Sequence, residues 1–382
     1  MTVTAPAGFD ASGVAAGLKS SGAADVALVV NRGPRHAAAA VFTGNRAKAN
    51  PILWSQQVIA DGEVAAIVLN SGGANCFTGA QGFQTTHATA EAVAEHLGIS
   101  AGDVLVCSTG LIGEQLDRAA LLGGVAAAAA ALGAHGDDAA RAIMTTDSVP
   151  KTVVVDGPSY SIGGMAKGAG MLAPGLATML VVLTTDADLP AAELDRALRA
   201  ATRVTFDRLD SDGCMSTNDQ VTLMASGASG VAPDPHAFTE LLIVACMQLM
   251  TQLQADAEGS SHDIVITVSG AASEDDAVEV ARAVARSNLF KAAMFGNDPN
   301  WGRVLAAIGT TSAEFDPYSV DVSFNEVRLC HAGAPDRPRD EVDLSGRTIA
   351  VHIELHAGDE VATVYTNDLT HDYVHENSAY AS

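Results

Sequence analysis

The chain has 382 residues, of which 48% are hydrophobic, enough to bury the cores of two or three domains. Its 21 basic and 45 acidic side chains give a net charge of −24, and so acidic a surface repels phosphate backbones and anionic lipid. Composition therefore argues against a nucleic-acid-binding or membrane-surface protein.

The predicted elements alternate along the chain between short β-branched runs and alanine-rich helical stretches. The predicted strands, in chain order, are 26–30, 37–42, 65–70, 103–108, 151–156, 178–185, 263–268, 320–324 and 348–355. The predicted helices are 86–97, 115–132, 191–202, 236–256 and 273–285. Loops rich in glycine or small polar residues are expected at 71–79, 108–113, 163–175, 210–219 and 295–303. This mixture predicts an α/β or α+β fold rather than a β-sandwich or a helical bundle.

The compartment is expected to be the cytoplasm. The five cysteines are scattered and include no CxxC pair, which is typical of free thiols in a reducing environment. The N-terminal stretch lacks the basic and apolar regions of a signal peptide. No apolar run approaches the roughly 20 residues that span a bilayer.

The sequence gives little support for a bound metal or a cofactor. The sequence contains no HExxH, Walker A or GxSxG motif. His352 and His356 straddle the end of a predicted strand, and His371 and His375 lie in the tail, so neither pair predicts a metal-binding helical face. The aspartates of the 210–219 loop are interpreted as loop carboxylates, with a divalent cation as the alternative. We expect no metal and no dissociable cofactor.

A GxGxxA pattern at 168–173 is a further candidate, for dinucleotide binding. Asp186 and Asp188 follow at about the spacing that such a site requires. However, Pro174 and Gly175 would stop any helix that began at the glycines, and a buried strand is predicted directly afterwards. The pattern therefore does not predict a nucleotide site.

The same glycine-rich stretch leads to Thr178, at the head of an apolar strand. Threonine is a weak nucleophile unless a base is supplied, and the α-amine of an N-terminal threonine, with a pKa of about 7.7–8.0, can act as that base. Attack of the Thr178 hydroxyl on the preceding carbonyl would release this amine. Judged by these residues alone, an ordinary threonine that opens a strand is the better interpretation.

The run Lys167-Gly-Ala-Gly-Met-Leu-Ala-Pro-Gly-Leu-Ala-Thr178 resembles the self-processing motif of the ornithine acetyltransferase family, also called glutamate N-acetyltransferase. Eight further stretches, in order along the chain, are similar to the same family: 39–45, 70–75, 108–113, 144–147, 212–219, 257–259, 296–303 and 373–377. His262, Cys76 and Ser382 depart from the pattern, which leaves fine substrate preference open. No catalytic role for the 296–303 and 212–219 loops follows from the residues, and a rigid turn or pocket wall is the default interpretation.

The resemblance implies a site and an architecture. It places a chain break between Ala177 and Thr178, with Thr178 as the nucleophile, and an oxyanion hole at the Thr109 hydroxyl and the Gly110 N–H. It implies an α/β sandwich of the self-processing, N-terminal-nucleophile-like type. Residues 1–177 and 178–382 become α and β chains that share one core, with a smaller C-terminal subdomain, in an α2β2 heterotetramer. The substrate contacts that it implies are Thr145, Lys167, Thr178, Glu258, Asn377 and Ser382.

The implied activity is acetyl transfer from N2-acetyl-L-ornithine to L-glutamate through an acetyl-Thr178 ester, in the cyclic pathway of arginine biosynthesis. Whether acetyl-CoA is a further donor is left open by the sequence. One alternative is a self-processing aminopeptidase or amidase of related fold, in which water resolves the acyl-enzyme. Another is a binding paralogue without activity, against which the joint presence of Thr178, Lys167, Thr109, Gly110 and Glu258 argues.

Overall fold

A computed structural model describes residues 2–173 and 179–379, and within these ranges the strands form three sheets. Ala177, Thr178 and Ser382 lie outside the described residues. The first sheet has the order β1-β2-β4-β5, antiparallel except for the parallel pair β4 and β5. Its strands are β1 (Phe9–Val14), β2 (Val26–Asn31), β4 (Ala66–Asn70) and β5 (Val104–Ser108).

The second sheet has the order β3-β9-β8-β7-β6, with β8 and β9 parallel and the other pairs antiparallel. At one end of the β7–β8 pair, Lys167 is the register partner of Leu180, so the chain leaves and re-enters this sheet at neighbouring positions. The strands are β3 (Ala37–Phe42), β6 (Lys151–Asp156), β7 (Ser161–Lys167), β8 (Leu180–Thr185) and β9 (Gln220–Ala225).

These two sheets stack face to face, and helices cover both outer faces. Strand β8 shows the pattern, because Leu180 and Val182 pack toward the first sheet whereas Val181 and Leu183 pack against helices. Burial on both faces explains why such strands are continuous apolar runs in the sequence. The result is a four-layer α/β/β/α sandwich, with α2 (Gly79–Leu97) and α3 (Arg118–Ala130) on one side and α5 (Ala191–Val204) and α6 (Pro235–Ala255) on the other.

The third sheet builds a smaller core of its own, in the order β13-β12-β11-β14-β10-β15. Its strands are β10 (Asp263–Ala271), β11 (Asp321–Phe324), β12 (Val327–His331), β13 (Ala334–Pro335), β14 (Thr348–Glu354) and β15 (Glu360–Asn367). The helices packed in this core are α7 (Glu274–Ala285), α8 (Asn288–Phe295) and α9 (Trp301–Ile308).

The remaining helices are α1 (Asn50–Val58), α4 (Gly136–Ala142) and α10 (His371–Ala379). None of the helices in residues 2–173 and 179–379 combines the length and apolar character of a bilayer-spanning segment.

The structure confirms the predicted mixed α/β fold, and every predicted helix lies within or overlaps an observed one. The predicted loop at 163–175 is wrong in its first part, because residues up to Lys167 form β7. The glycines that suggested a loop are required by crowding instead. A Cβ on Gly163 would lie 2.2 Å from the backbone oxygen of Thr2, and one on Gly164 would lie 2.9 Å from Leu183 Cδ2 on the neighbouring strand.

Candidate active site

Six of the residues selected by the resemblance line a single pocket. They come from widely separated parts of the chain: the turn after β5, the segment between α4 and β6, the end of β7, the segment between α6 and β10, and α10. The other three, Ala177, Thr178 and Ser382, fall outside the described residues. The six that the fold brings together are Thr109, Gly110, Thr145, Lys167, Glu258 and Asn377.

The turn after β5 presents two donors to this pocket. Gly110 has a φ of +127°, and a Cβ there would lie 2.9 Å from the Gly73 backbone, so only glycine fits. The Gly110 N–H has no acceptor among the described residues. The Thr109 Oγ1 accepts a hydrogen bond from Lys167 Nζ at 3.4 Å, which leaves the threonine's own proton available for a ligand oxygen. A developing oxyanion needs this pair of donors.

Asn218 holds that turn in place, a role that the sequence analysis missed. Its Nδ2 donates to the carbonyls of Ala74 at 2.6 Å and Ser108 at 2.8 Å, while its Oδ1 accepts from the Thr217 hydroxyl at 2.6 Å. Asn218 is buried and lines the pocket together with Ser216 and Thr217. The 212–219 stretch was noticed as a motif, but its residues show this role only through contacts with distant segments.

Lys167 is the buried cation of the pocket, only 2% exposed. Burial lowers the pKa of Lys167, and the Asp147 carboxylate, whose Oδ2 lies 3.9 Å from Nζ, opposes that effect. Burial alone would also raise the pKa of Asp147, but the ammonium groups of Lys167 and Lys151 bring it down to about 2. An ionised carboxylate therefore lies behind Lys167, and Lys167 itself lines the pocket.

Glu258 supplies the opposite charge on another wall of the pocket. Its Oε1 accepts from the Thr146 hydroxyl at 2.7 Å, and its Oε2 accepts from Asn377 Nδ2 at 3.0 Å. No lysine or arginine in the described part of the chain lies within salt-bridge distance of this carboxylate. An ammonium group of a ligand would meet a fixed, negatively charged acceptor here.

Asp219 lies at the entrance to β8, next in space to the start of the proposed β chain. Its Oδ1 accepts from the Met179 N–H at 3.1 Å, and the residue is fully buried. Burial raises the pKa of Asp219 well above its ordinary value, despite the hydrogen bonds that it accepts. The carboxyl is thus held toward its neutral form while it fixes the peptide nitrogen that follows Thr178.

The other candidate residues from the sequence lie outside this pocket or form no site of their own among the described residues. His371 and His375 lie on a helix, α10, that was not among the predicted helices. Within 2–173 and 179–379, no group of three or more histidine, cysteine, aspartate or glutamate side chains could hold a metal ion. Residues 168–173 begin no helix. His262 does not line the pocket, and its Nδ1 lies 2.9 Å from Asp368 Oδ2.

Fold and site together define a class: a four-layer α/β protein with a polar pocket, lined by a lysine, a glutamate and the Thr109–Gly110 turn, that has the groups to bind a small zwitterion. The model of the ArgJ family matches residues 10–382, and the chain belongs to this family. It is 61% identical to the arginine biosynthesis bifunctional protein ArgJ of Streptomyces coelicolor, over the whole length of both chains. It is 54% identical to the protein of the same name from Mycobacterium tuberculosis, over all of this chain and 96% of the other.

Among solved structures, the chain is similar to the ornithine acetyltransferase from Mycobacterium tuberculosis complexed with ornithine. The two are 55% identical, with a TM-score of 0.45, over 47% of this chain and 96% of the solved chain. It is also similar to the arginine biosynthesis bifunctional protein from Bacillus halodurans. That match is 33% identical, with a TM-score of 0.49, over 52% of this chain and 97% of the other.

Proposed function

We propose that this protein is an acyltransferase of arginine biosynthesis that moves the acetyl group of N2-acetyl-L-ornithine to L-glutamate through an ester on Thr178. The observation that carries the proposal is the convergence, in one pocket, of the six described residues that the family motif selects. A second activity, acetylation of glutamate from acetyl-CoA, accords with the word "bifunctional" in the names of the relatives.

Each half of the pocket matches one part of an acetylated amino acid. The buried ammonium of Lys167 suits the substrate carboxylate, since a charge-assisted hydrogen bond is strongest away from water. The carboxylate of Glu258 suits an ammonium group. Between them, Thr109 and Gly110 present a hydroxyl and a backbone N–H to the oxygen of a reacting carbonyl.

The reaction follows from these groups by double displacement. The Thr178 hydroxyl attacks the acetyl carbonyl, and its proton passes to the α-amine of Thr178, directly or through water. The oxyanion is held by Thr109 and Gly110, and it collapses as the bond to the ornithine nitrogen breaks and that nitrogen takes the proton. The amine of glutamate then attacks the acetyl-Thr178 ester, and the same steps in reverse release N-acetyl-L-glutamate.

Transfer is distinguished from hydrolysis by supplying different acceptors. Purified protein is incubated with acetylornithine plus glutamate, and separately with acetylornithine in buffer alone. We expect N-acetylglutamate and ornithine to form at equal rates in the first and little ornithine in the second. Equal ornithine release in both reactions would instead support the amidase alternative.

The nucleophile is tested by substitution. Thr178→Ala should give an uncleaved chain without transfer activity, because cleavage and transfer use the same hydroxyl. Thr178→Ser, the matched control, should keep some of both, since hydroxyl and α-amine survive. Turnover by the alanine variant would remove Thr178 from the mechanism.

Self-cleavage and assembly are part of the same proposal. A denaturing gel of active protein should show two chains, and N-terminal sequencing of the second should begin Thr-Met-Leu-Val-Val. Under native conditions both chains should elute together, at the mass of an α2β2 assembly. Full activity from a single uncleaved chain would contradict the α-amine as general base.

A further inference from the structure

Asp147 is a buried carboxylate that lies behind the pocket and touches three of its walls. Its Oδ2 accepts from the Thr145 N–H at 2.9 Å, and its Oδ1 accepts from the Gly168 N–H at 2.7 Å. Oδ2 also faces Lys167 Nζ at 3.9 Å. The side chain is fully buried, and Asp147 does not line the pocket itself. It therefore acts on a ligand only through other residues.

We propose that Asp147 is a positioning residue for acetyl transfer, which keeps Lys167 charged and in place so that Lys167 in turn orients the Thr109 hydroxyl toward the oxyanion. This inference rests on the proposed function for its kinetic consequence. Its physical basis, the Asp147–Lys167–Thr109 chain of contacts, consists entirely of described residues.

The direction of the Thr109 proton follows from the charge on Lys167. A charged ammonium has donors only, so in its contact with Thr109 Oγ1 the hydroxyl oxygen must accept. The hydroxyl proton is then free for the reacting carbonyl. A neutral Lys167 amine carries a lone pair that can accept this proton, which would turn the Thr109 donor away from the oxyanion.

The charge on Lys167 depends on a small set of neighbours. Burial favours the neutral amine, and Lys151 and Lys19 add positive charge nearby. Three carboxyl groups act in the opposite sense, Asp147, Asp219 and Glu258. Of these, Asp147 has the largest effect, and Asp219 is itself held toward its neutral form. Removing the charge of Asp147 therefore takes away the largest opposition to desolvation and leaves mainly the Glu258 carboxylate.

Asp256 provides a matched control for a purely structural role. Lys151 Nζ lies between two carboxylates, 2.6 Å from Asp147 Oδ1 and 2.5 Å from Asp256 Oδ2. Asp147→Asn and Asp256→Asn each remove one of these partners. Only the first also removes the carboxylate that faces Lys167, because Asp147 is the carboxylate with the largest effect on that lysine, whereas Asp256 pairs with Lys151.

The experiment compares pH profiles of kcat/KM for acetylornithine and glutamate in the wild-type protein and both variants. Lys167 is needed in its charged form, so activity should fall as the pH rises through its pKa. In Asp147→Asn this alkaline limb should move to lower pH by about one unit or more, as expected for loss of an opposite charge at this distance. The acidic limb, set by the base, should stay where it is. Asp256→Asn should keep the wild-type alkaline limb.

Two further variants keep the result interpretable. Asp147→Glu retains the charge and should restore the alkaline limb toward the wild-type position, even where kcat stays low. In a Lys167→Gln background, Asp147→Asn should cause no further shift. An unmoved alkaline limb in Asp147→Asn, or an equal movement in Asp256→Asn, would overturn the inference.

A readout without substrate separates this inference from the proposed function. NMR of protein labelled with ¹³C at lysine Cε follows the titration of Lys167, assigned by its loss in Lys167→Gln. We expect its midpoint to fall in Asp147→Asn and not in Asp256→Asn. If this shift appears in a protein that fails to transfer acetyl groups, the proposed function is wrong and the electrostatic coupling stands. If transfer occurs and no shift appears, only the inference is wrong.

Discussion

Replacing Asn218 by alanine tests whether this side chain holds the turn after β5, which contains Thr109 and Gly110, in place. The amide of Asn218 donates to the carbonyls of Ala74 and Ser108, both inside the protein. Each buried carbonyl left without a donor costs about 1–3 kcal/mol, so the free energy of unfolding should fall by about 2–6 kcal/mol. The chain should still fold under mild conditions, since domains are stable by about 5–15 kcal/mol.

The folded Asn218→Ala variant should also have a lower kcat. Without the amide, the Ser108 carbonyl loses its bridge to the Ala74 carbonyl, and the turn keeps its link to that loop through the Ala74 N–H, which donates to Leu111. Thr109 and Gly110 follow directly after Ser108, so the lost bridge bears on their position. Loss of one oxyanion donor lowers kcat by about 10²–10³, which sets the upper bound for misplacing the turn. Steady-state kinetics of the folded variant should show this fall in kcat with a smaller change in KM.

Gln254 supplies the control. Its Nε2 likewise bridges two buried carbonyls, those of Ile264 at 3.1 Å and Thr366 at 2.9 Å, and it does not line the pocket. Gln254→Ala should lower the denaturation midpoint to a similar degree while leaving kcat near the wild-type value. Equal falls in kcat for both variants, or wild-type turnover in Asn218→Ala, would refute the assignment.

Four other outcomes follow from the site. Thr109→Ala should lower kcat by about 10²–10³ in steady-state assays, and a fall confined to substrate affinity would reassign Thr109 to binding. Glu258→Gln should raise KM for acetylornithine more than it lowers kcat, and an unchanged KM would exclude Glu258 from ammonium recognition. Lys151→Met leaves Asp147 and Asp256 without their shared ammonium, so chemical denaturation should show a loss of about 3–5 kcal/mol, and a wild-type midpoint would contradict it. The folded-state pKa of Asp147, about 2, lies below the ordinary aspartate value of 3.8. The stability that Asp147 adds is therefore present above the unfolded pKa and is lost as the pH falls through the folded one, so acid unfolding of Asp147→Asn should lack this component.

The sequence was most informative about strands buried on both faces. The run at 26–30 was predicted within one residue of β2, because stacking between a sheet and helices requires apolar residues at every position. Strand β7 was missed because its glycines suggested a loop. They are present because neighbouring segments leave no room for a Cβ, and the periodicity of the sequence does not show such contacts. From Ala362 to Thr366, strand β15 alternates buried and partly exposed residues, a pattern that was present in the sequence and could have identified it.

The residues of the site also differ in how far the sequence could identify them. Lys167 and Glu258 were selected by motif resemblance, since no spacing rule links residues on β7 with those after α6. Asp147 and Asn218 stood inside quoted motifs, yet their roles depend on which backbone N–H and C=O groups surround them in space. Local patterns report which face of an element is buried, and they carry no information about such long-range hydrogen bonds.

The strand order of the second sheet determines how the two chains would stay associated after a break before Thr178. The central strands β8 and β9 would then belong to one chain, whereas β7 and β6 on one flank and β3 on the other would belong to its partner. The second chain would thus be hydrogen-bonded on both sides to strands of the first, through the β8–β7 and β9–β3 ladders. Separately made halves would expose four unpaired strand edges, which invite aggregation. Folding would therefore have to precede such a break, and two cleaved molecules could not exchange chains without first breaking both ladders.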